Sequence, residues 1–165
     1  MYKYTYEEAA DKYIDTIYRL ALARTKSPHY AEDITQDVFV KLISKNNKFD
    51  SEEHLKSWLL RVTINLTKDL FHSAMFRMTA ELDENTSDSN LSYSHEHEEE
   101  SDLYNALMKL PQKYRTVIHL HYYEGYSVEE TAHIIGVSSG TVKSQLHRGR
   151  QMLKNIMEEG DAVEG

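Results

Sequence analysis

Residues 127–150, SVEETAHIIGVSSGTVKSQLHRGR, constrain the fold more than any other stretch of this chain. Ser127, with a glutamate three residues later, predicts a capping box at the beginning of a short helix. Gly136 can end that helix because glycine adopts the left-handed backbone conformation at little steric cost. Ser138 or Ser139 can then cap the next helix. The stretch therefore predicts two helices joined by a tight turn.

The second of these helices has one apolar side and one polar, basic side. Small and apolar residues recur at spacings of four, three, four and four, which predicts one buried stripe. The stripe consists of Val142, Leu146, Gly149, Leu153 and Met157, and Val137 is expected to fill the turn. The other side carries hydroxyls and a lysine near its beginning and arginines farther along. Such a face is either the solvated surface of a small bundle or a reader of a DNA groove.

Composition indicates an all-α chain. There are only two prolines and six glycines in 165 residues, and helical periodicity runs through nearly the whole sequence. This length suits one domain or two small ones. The absence of cysteine excludes disulfides and thiolate metal sites. We find no signal peptide and no apolar run long enough for membrane insertion, so a cytoplasmic protein is expected.

The negative charge is concentrated in one segment. Residues 73–100 carry one basic and eight acidic side chains, a balance of −7 within a net charge of −8. This composition predicts a flexible acidic linker over 74–101, between helical domains at 1–73 and 102–160. His95 and His97 lie in this run, but a disordered acidic segment is favoured over a metal site there. We predict no cofactor and no metal.

The first half predicts three helices. Residues 5–25 form the first, with Tyr6, Ala10, Tyr13, Ile14, Ile17, Leu20 and Ala21 along one side. Pro28 suits the first turn of the second helix. That helix contains AEDITQDVFVKLISK, whose apolar side includes Ile34, Val38, Leu42 and, less clearly, Phe39. Its polar face shows Asp33, Gln36, Asp37 and Lys41. Acidic residues early in a helix are often just favourable partners of the helix dipole, with no binding role.

The third stretch, FDSEEHLKSWLLRVTINLTKDLFHS, predicts another amphipathic helix. Its apolar stripe is expected to be Leu55, Trp58, Leu59, Val62, Leu66 and Leu70. Arg61, Asn65, Lys68 and His72 follow at spacings of four, three and four on another face. That row is either a wet surface or a track for a DNA strand, with basic groups on phosphates and the amide on a base edge.

Together, these phrases resemble RNA polymerase sigma factors of the compact, extracytoplasmic-function type. AEDITQDVFVKL is similar to their polymerase-gripping segment, and LPQKYRTVIHLHYYEGYSVEETAHIIGVSSGTVKSQLHRGRQML is similar to their helix-turn-helix domain. The resemblance implies an all-α protein of two small helical domains, the C-terminal one a helix-turn-helix, joined by a flexible acidic linker. It also implies binding to core RNA polymerase and to promoter DNA, as duplex and as melted non-template strand. An anti-sigma factor is a further implied partner.

The same resemblance assigns residues to three surfaces. The polymerase-binding set is Asp33, Gln36, Asp37, Phe39 and Lys41. The minus-ten set is Lys56, Arg61, Asn65 and Lys68, preceded by a loop at about Phe49 to Glu53 that would hold a flipped-out base. The minus-thirty-five set is Arg115, Ser138, Ser139, Thr141, Lys143, Ser144, His147, Arg148 and Arg150. One departure is that residues 70–73, Leu-Phe-His-Ser, replace the usual cluster of Arg and Lys.

Two other interpretations stay open at this point. A stand-alone helix-turn-helix regulator would explain the second half but not the first. A sigma-like decoy that binds an anti-sigma factor and no DNA would explain the missing basic cluster. An enzyme is the least supported class, because we find no nucleophile elbow, no His-Glu-x-x-His motif and no glycine-rich phosphate loop. We therefore predict no catalytic residues.

Overall fold

The computed structural model describes residues 1–44, 47–78 and 98–164, and within these ranges the backbone is helical with no strand. This confirms the predicted all-α class. The chain divides into two compact units, residues 1–87 and 88–165. The expected acidic linker overlaps helices at both ends, while its middle part, residues 79–97 with His95 and His97, lies outside the described residues.

The first unit contains three helices, α1 (Tyr6–Thr25), α2 (Pro28–Ser44) and α3 (Glu52–Met78). Thr5 caps α1, since its hydroxyl accepts from the Glu8 N–H at 3.1 Å and the Glu8 carboxylate accepts from the Thr5 N–H at 3.0 Å. Pro28 is the first residue of α2, as predicted. The hydroxyl of the preceding Ser27 accepts from the Tyr30 N–H at 3.2 Å. Local capping therefore begins both helices where the sequence predicts.

The buried side of α3 differs from the predicted stripe. Leu55 and Leu59 are buried as expected, but Trp58 is only half-buried, as are Val62, Leu66 and Leu70. The core instead continues through Leu60, Thr63, Ile64 and Thr67. The threonines fit because each hydroxyl bonds a backbone carbonyl of its own helix, at 2.8 Å for Thr63 to Leu59 and for Thr67 to Ile64.

On α1 the prediction is correct for most positions and wrong for Ile14, which is 44% exposed. The buried positions include Tyr13, Ile17, Leu20 and Ala21, with Ala9 rather than Ala10 in the core. Arg24 is also buried, and its Nε donates to the Thr67 hydroxyl at 2.9 Å. This bond joins α1 to α3 and satisfies one of the donors of a buried guanidinium.

The second unit contains α4 (Glu98–Met108), α5 (Gln112–Ile118), a π-helical turn (His119–Tyr123), α6 (Val128–Ile135) and α7 (Ser139–Glu164). Its core is formed by Leu107, Leu110, Tyr114, Val117, Ile118, Ala132, Val142 and Leu146. Leu153 and Met157 are half-buried, so the α7 stripe is most buried over its first three positions. No helix in the described ranges is long and apolar enough to cross a membrane.

Candidate nucleic-acid and protein interfaces

The turn between α6 and α7 has the predicted local geometry. The Ser127 hydroxyl accepts from the Glu130 N–H at 3.0 Å, and the Glu130 carboxylate accepts from the Ser127 N–H at 2.8 Å. Gly136 has φ +88°, the left-handed conformation, and its N–H donates to the Ala132 carbonyl at 2.8 Å. Of the two candidate caps for α7, Ser138 is the one used, because its hydroxyl accepts from the Thr141 N–H at 3.1 Å. The predicted helix-turn-helix is therefore present.

Val137 does not fill the turn as expected. Its side chain is 37% exposed. The Val137 N–H donates to the Ala132 carbonyl at 3.1 Å, so the chain after the glycine is fixed by backbone bonds rather than by an apolar plug.

Most of the predicted minus-thirty-five set shares the solvent face of α7. Val142, Leu146 and Gly149 hold the opposite face in the core. Ser139 is half-buried, while the exposed members are Ser138, Thr141, Lys143, Ser144, His147, Arg148 and Arg150. The face thus combines hydroxyls, an imidazole and three cationic groups on one rigid element, which is the composition needed to contact base edges and phosphates.

An open groove of about 430 Å³ lies at the beginning of α7. Its lining includes the hydroxyl residues Ser138, Thr141 and Ser144 and the cation Arg148. Lys113 of α5 completes the lining, with Tyr114, Gly140 and Gln145. Two cations and a helix N-terminus therefore share one polar concavity, which favours an anion such as a phosphate. Lys113 could not be assigned to this groove from sequence, because α5 has no polar periodicity that points to α7.

Arg115 is buried, which corrects its predicted exposure to a phosphate. It is 5% exposed and lies within the second unit. Its Nη1 donates to the Leu110 carbonyl at 2.6 Å. Burial lowers the pKa of Arg115 to about 10, so the guanidinium stays charged at neutral pH. A group so buried offers little surface to a phosphate, whereas Lys113 is an exposed cation of the same helix.

Arg150 is held by the π-helical turn. Its Nη1 donates to the Tyr122 hydroxyl at 2.8 Å. Tyr122 and Tyr123 are both 53% exposed. The Tyr123 ring stacks on His119, whose Nε2 lies 3.2 Å from the Glu124 carboxylate. The bond from Tyr122 holds Arg150 at the far end of the exposed face.

The α2 surface brings the predicted carboxylates together with exposed apolar side chains that were not among the predicted residues. Asp33, Gln36 and Asp37 are exposed, and Lys41 is half-buried. Val40 is 58% exposed and Ile43 is 60% exposed. An exposed apolar pair beside carboxylates is typical of a protein-binding surface. Val40 and Ile43 are three residues apart near the end of α2, and this spacing was the sequence signal for a second apolar face.

Phe39 of α2 is also buried, which corrects its predicted place in the polymerase-binding set. It is 4% exposed. It packs edge-on against Tyr6, with ring centroids 6.3 Å apart. Phe39 therefore supports the α2 surface from beneath and offers no side-chain area to a partner.

The polar row of α3 faces solvent as predicted. Arg61, Asn65 and Lys68 are exposed, and Lys56 is half-buried. Half-buried Trp58 packs against Phe49, with ring centroids 5.6 Å apart. Farther along α3, residues 70–73 replace the basic cluster that is usual in the family. Leu70 and Phe71 are half-buried, and only His72 and Ser73 are exposed.

The loop before α3 is tightly ordered by local bonds. The Asp50 N–H donates to His54 Nδ1 at 3.1 Å, and the His54 N–H donates to the Ser51 hydroxyl at 3.1 Å. Phe49 is 2% exposed, whereas Asp50 and Ser51 are exposed. The loop therefore shows polar groups to solvent over a buried ring. Among the described residues, no three His, Asp or Glu side chains are grouped to hold a metal ion.

Two family descriptions match this chain. "Sigma-70 region 2" matches residues 9–77, and "Sigma-70, region 4" matches residues 100–153. Among curated relatives, the ECF RNA polymerase sigma factor SigW of Bacillus subtilis is 30% identical over 162 residues, covering 90% of this chain and 87% of that protein. The ECF RNA polymerase sigma factor SigE of Mycolicibacterium smegmatis is 33% identical over 160 residues, covering 93% of this chain and 62% of its own length.

Solved structures share the fold. The sigma factor RpoE of Bartonella quintana, in complex with the anti-sigma factor NepR, superposes with a TM-score of 0.76 at 23% identity, covering 93% of this chain and 96% of the other. CnrH, in complex with the cytosolic domain of CnrY, superposes with a TM-score of 0.66 at 21% identity, covering 93% and 88%. At these identities the likeness concerns the fold.

Proposed function

Because the chain belongs to the ECF group of sigma-70 RNA polymerase sigma factors, which initiate transcription at promoters and are not enzymes, we propose that it directs core polymerase by reading two promoter elements. The second unit would read the minus-thirty-five element and the first would read the minus-ten element. The observation that carries this proposal is the α7 face, where exposed hydroxyls and cations lie opposite a buried stripe.

For the minus-thirty-five element, α7 would enter the major groove of duplex DNA. Its N-terminal hydroxyls and Lys143 would contact base edges, while Arg148 and Lys113 would contact phosphates on either side of the 430 Å³ groove. Arg150, held by Tyr122, would contact the backbone farther along. Arg115 would act only by supporting α5 from within the core.

For the minus-ten element, the exposed row of α3 would follow the melted non-template strand. Arg61 and Lys68 would contact phosphates, and Asn65 would contact a base edge. Half-buried Trp58 offers a ring for stacking. The Phe49–Glu53 loop would hold an extruded base, and Lys56 lies one turn into α3 beside it.

For core polymerase, the docking surface would be the outer face of α2. Asp33, Asp37 and Gln36 would supply charge and hydrogen bonding, and Val40 with Ile43 would supply the apolar centre. Lys41 would lie at its edge. Phosphodiester chemistry would belong to the polymerase, in the cytoplasm, since the chain itself acts by binding.

Charge supports a requirement for polymerase. The net charge of −8 gives weak non-specific attraction to DNA, which depends on phosphate neutralisation. Two modest contacts gain affinity when one scaffold holds both, because the second then benefits from a high effective concentration. The chain would therefore select promoters only on polymerase.

An anti-sigma factor is the second proposed partner. The RpoE structure that shares this fold contains an anti-sigma factor. The exposed Val40 and Ile43 would need covering when polymerase is absent. Affinity capture of the chain from its native host, under inducing and non-inducing conditions, tests this partner, and recovery of polymerase subunits alone in both conditions would count against it.

Run-off transcription tests the proposed function. Purified chain and core polymerase are combined on promoter DNA, with each component omitted in turn. A sigma factor gives a specific transcript only when both are present. A stand-alone regulator would bind the duplex without polymerase, and a decoy would give neither result.

A further inference from the structure

A chain of aromatic rings connects the proposed base-capture loop, Phe49–Glu53, to a segment outside it. That segment is Met1–Thr5, which precedes α1 and which we call the strap. Its Tyr2 and Tyr4 rings stack with centroids 6.0 Å apart and planes 14° apart. The Tyr4 ring then lies against Phe49 with centroids 5.9 Å apart. The strap is therefore in direct contact with the loop.

A backbone hydrogen bond makes a second connection. The Tyr2 N–H donates to the Phe49 carbonyl at 2.8 Å. Because both groups belong to the main chain, this bond is independent of the Tyr2 ring. The loop carbonyl and the loop ring are thus held by two separate parts of the strap, which can be removed separately.

Phe49 is the residue through which the strap reaches the loop. It is among the largest fully buried side chains of the described residues. Its ring meets His54 at 5.1 Å and Trp58 at 5.6 Å between centroids, on the side of α3. A ring packed between the strap and α3 cannot move alone, because protein interiors are close-packed. A change in the strap is therefore transmitted to the loop.

The other end of the loop is fixed from α1. The Lys12 ammonium and the Tyr13 hydroxyl both donate to the Glu52 carboxylate, at the first residue of α3. These bonds lower the pKa of Glu52, which stays ionised. The exposed residues Asp50 and Ser51 thus lie between two anchors, α1 at Glu52 and the strap at Phe49.

We infer that the strap is a positioning element for promoter recognition, which fixes Phe49 and so sets the shape in which the loop holds an extruded base. The inference rests on the proposed minus-ten function. The strap needs no DNA contact of its own, because it acts through Phe49. The strap should therefore affect base preference at one promoter position, and it should not change base preference at the other positions.

The test uses the full chain bound to core polymerase and a panel of promoters substituted singly at each minus-ten position. The lifetime of the open complex is measured for each. Tyr4→Ala should reduce discrimination at one position by about threefold to tenfold, as expected for the loss of an aromatic pair. Tyr4→Phe keeps the ring and should restore discrimination. Lys3→Ala, in the same segment but outside the ring contacts, is the matched control and should leave base preference unchanged.

Tyr2 separates the two connections. Tyr2→Pro removes the N–H that bonds the Phe49 carbonyl, and Tyr2→Ala retains that donor while removing the ring. Tyr2→Pro should reduce discrimination at the same position as Tyr4→Ala. Equal losses at every position, losses that follow the thermal stability of the chain, or no change in any strap variant would overturn the inference.

Loop variants distinguish failure of this inference from failure of the proposed function. Asp50→Ala and Ser51→Ala should change base preference at the position that the strap variants affect. If they do and the strap variants do not, the positioning role alone is lost. If neither set changes preference at any minus-ten position, the proposed base capture by this loop fails and the inference fails with it.

Discussion

Gly149 lets α5 and α7 approach closely, and this close approach can be tested at a single residue. A Cβ atom at Gly149 would lie 2.9 Å from Ile118 Cδ1 and 3.2 Å from Tyr114 Cβ, both closer than ordinary van der Waals contact. Gly149→Ala should therefore lower the free energy of unfolding of the second unit by about 1–2 kcal/mol, because the cost of overpacking exceeds the roughly 0.5–1 kcal/mol that alanine gains over glycine in a helix. Chemical denaturation followed by circular dichroism measures this.

Gly140 is the matched control in the same helix. A Cβ atom there would have Ser138 Oγ as its nearest neighbour, at 3.9 Å. Gly140→Ala should raise the free energy of unfolding by about 0.5–1 kcal/mol, because alanine loses less backbone entropy in a helix. Trp58, the single tryptophan, reports the first unit, so its fluorescence transition should be unchanged in both variants. Equal destabilisation by the two substitutions would contradict the packing role of Gly149.

Lys113 and Arg115 are neighbouring cations with opposite roles. Lys113 lines the groove at the beginning of α7, whereas Arg115 is buried and bonds the Leu110 carbonyl. The salt dependence of promoter binding is measured for the chain bound to polymerase. Lys113→Ala should reduce the slope of log affinity against log salt concentration by about 1, as expected for one lost phosphate contact. Arg115→Ala should leave that slope unchanged and lower the free energy of unfolding by about 1–3 kcal/mol, because a buried carbonyl loses its donor. If Arg115→Ala also reduced the salt dependence of binding, Arg115 would contact a phosphate directly, contrary to its burial in this structure.

At the scale of the element, α2 presents one surface made of charges and exposed aliphatic side chains. Val40 is more than half exposed, so Val40→Asp should change the free energy of unfolding by less than about 0.5 kcal/mol. It should weaken binding to core polymerase by about tenfold or more, as for an apolar residue at the centre of an interface. Competition against a labelled sigma factor for core polymerase measures the affinity.

Ile14 provides the control for α2. It lies on α1 and is 44% exposed. Ile14→Asp adds the same charge at a similar apolar position, and we expect polymerase affinity to stay at the wild-type value. If both substitutions weaken binding equally, the docking surface is wider than α2.

The helices themselves could be predicted from sequence because their signals are local. Ser127, Gly136 and Pro28 mark helix ends through bonds and dihedral angles of their own neighbourhood. The buried side of α3 could not be predicted as well, because hydropathy treats Thr63 and Thr67 as polar. Each is buried once its hydroxyl bonds the preceding turn, a compensation that composition does not show.

The exposure of the proposed site residues was predictable where it follows from helical spacing, as on α7, and less so where tertiary packing decides. Arg115 and Phe39 occupy positions that match the sigma-factor motifs, yet both side chains are buried. Lys113 joins α7 only because α5 packs beside it. The strap contact with Phe49 joins residues far apart in the chain, and no sequence pattern predicted it.

If the two units read separate promoter elements, as proposed, the spacing between those elements becomes a measurable quantity. DNA turns once in about 10.5 base pairs, so inserting about 5 base pairs between the two elements rotates one to the opposite side of the duplex. With polymerase holding both units, this insertion should reduce transcription strongly, since both contacts can no longer form together. Binding of the polymerase-bound chain to a duplex that carries the minus-thirty-five element alone should keep its affinity. Arg148→Ala should weaken that duplex binding whatever the spacing, which separates loss of a contact from loss of geometry. Transcription that tolerates the half-turn insertion would mean that the two units do not read the promoter as one spaced pair.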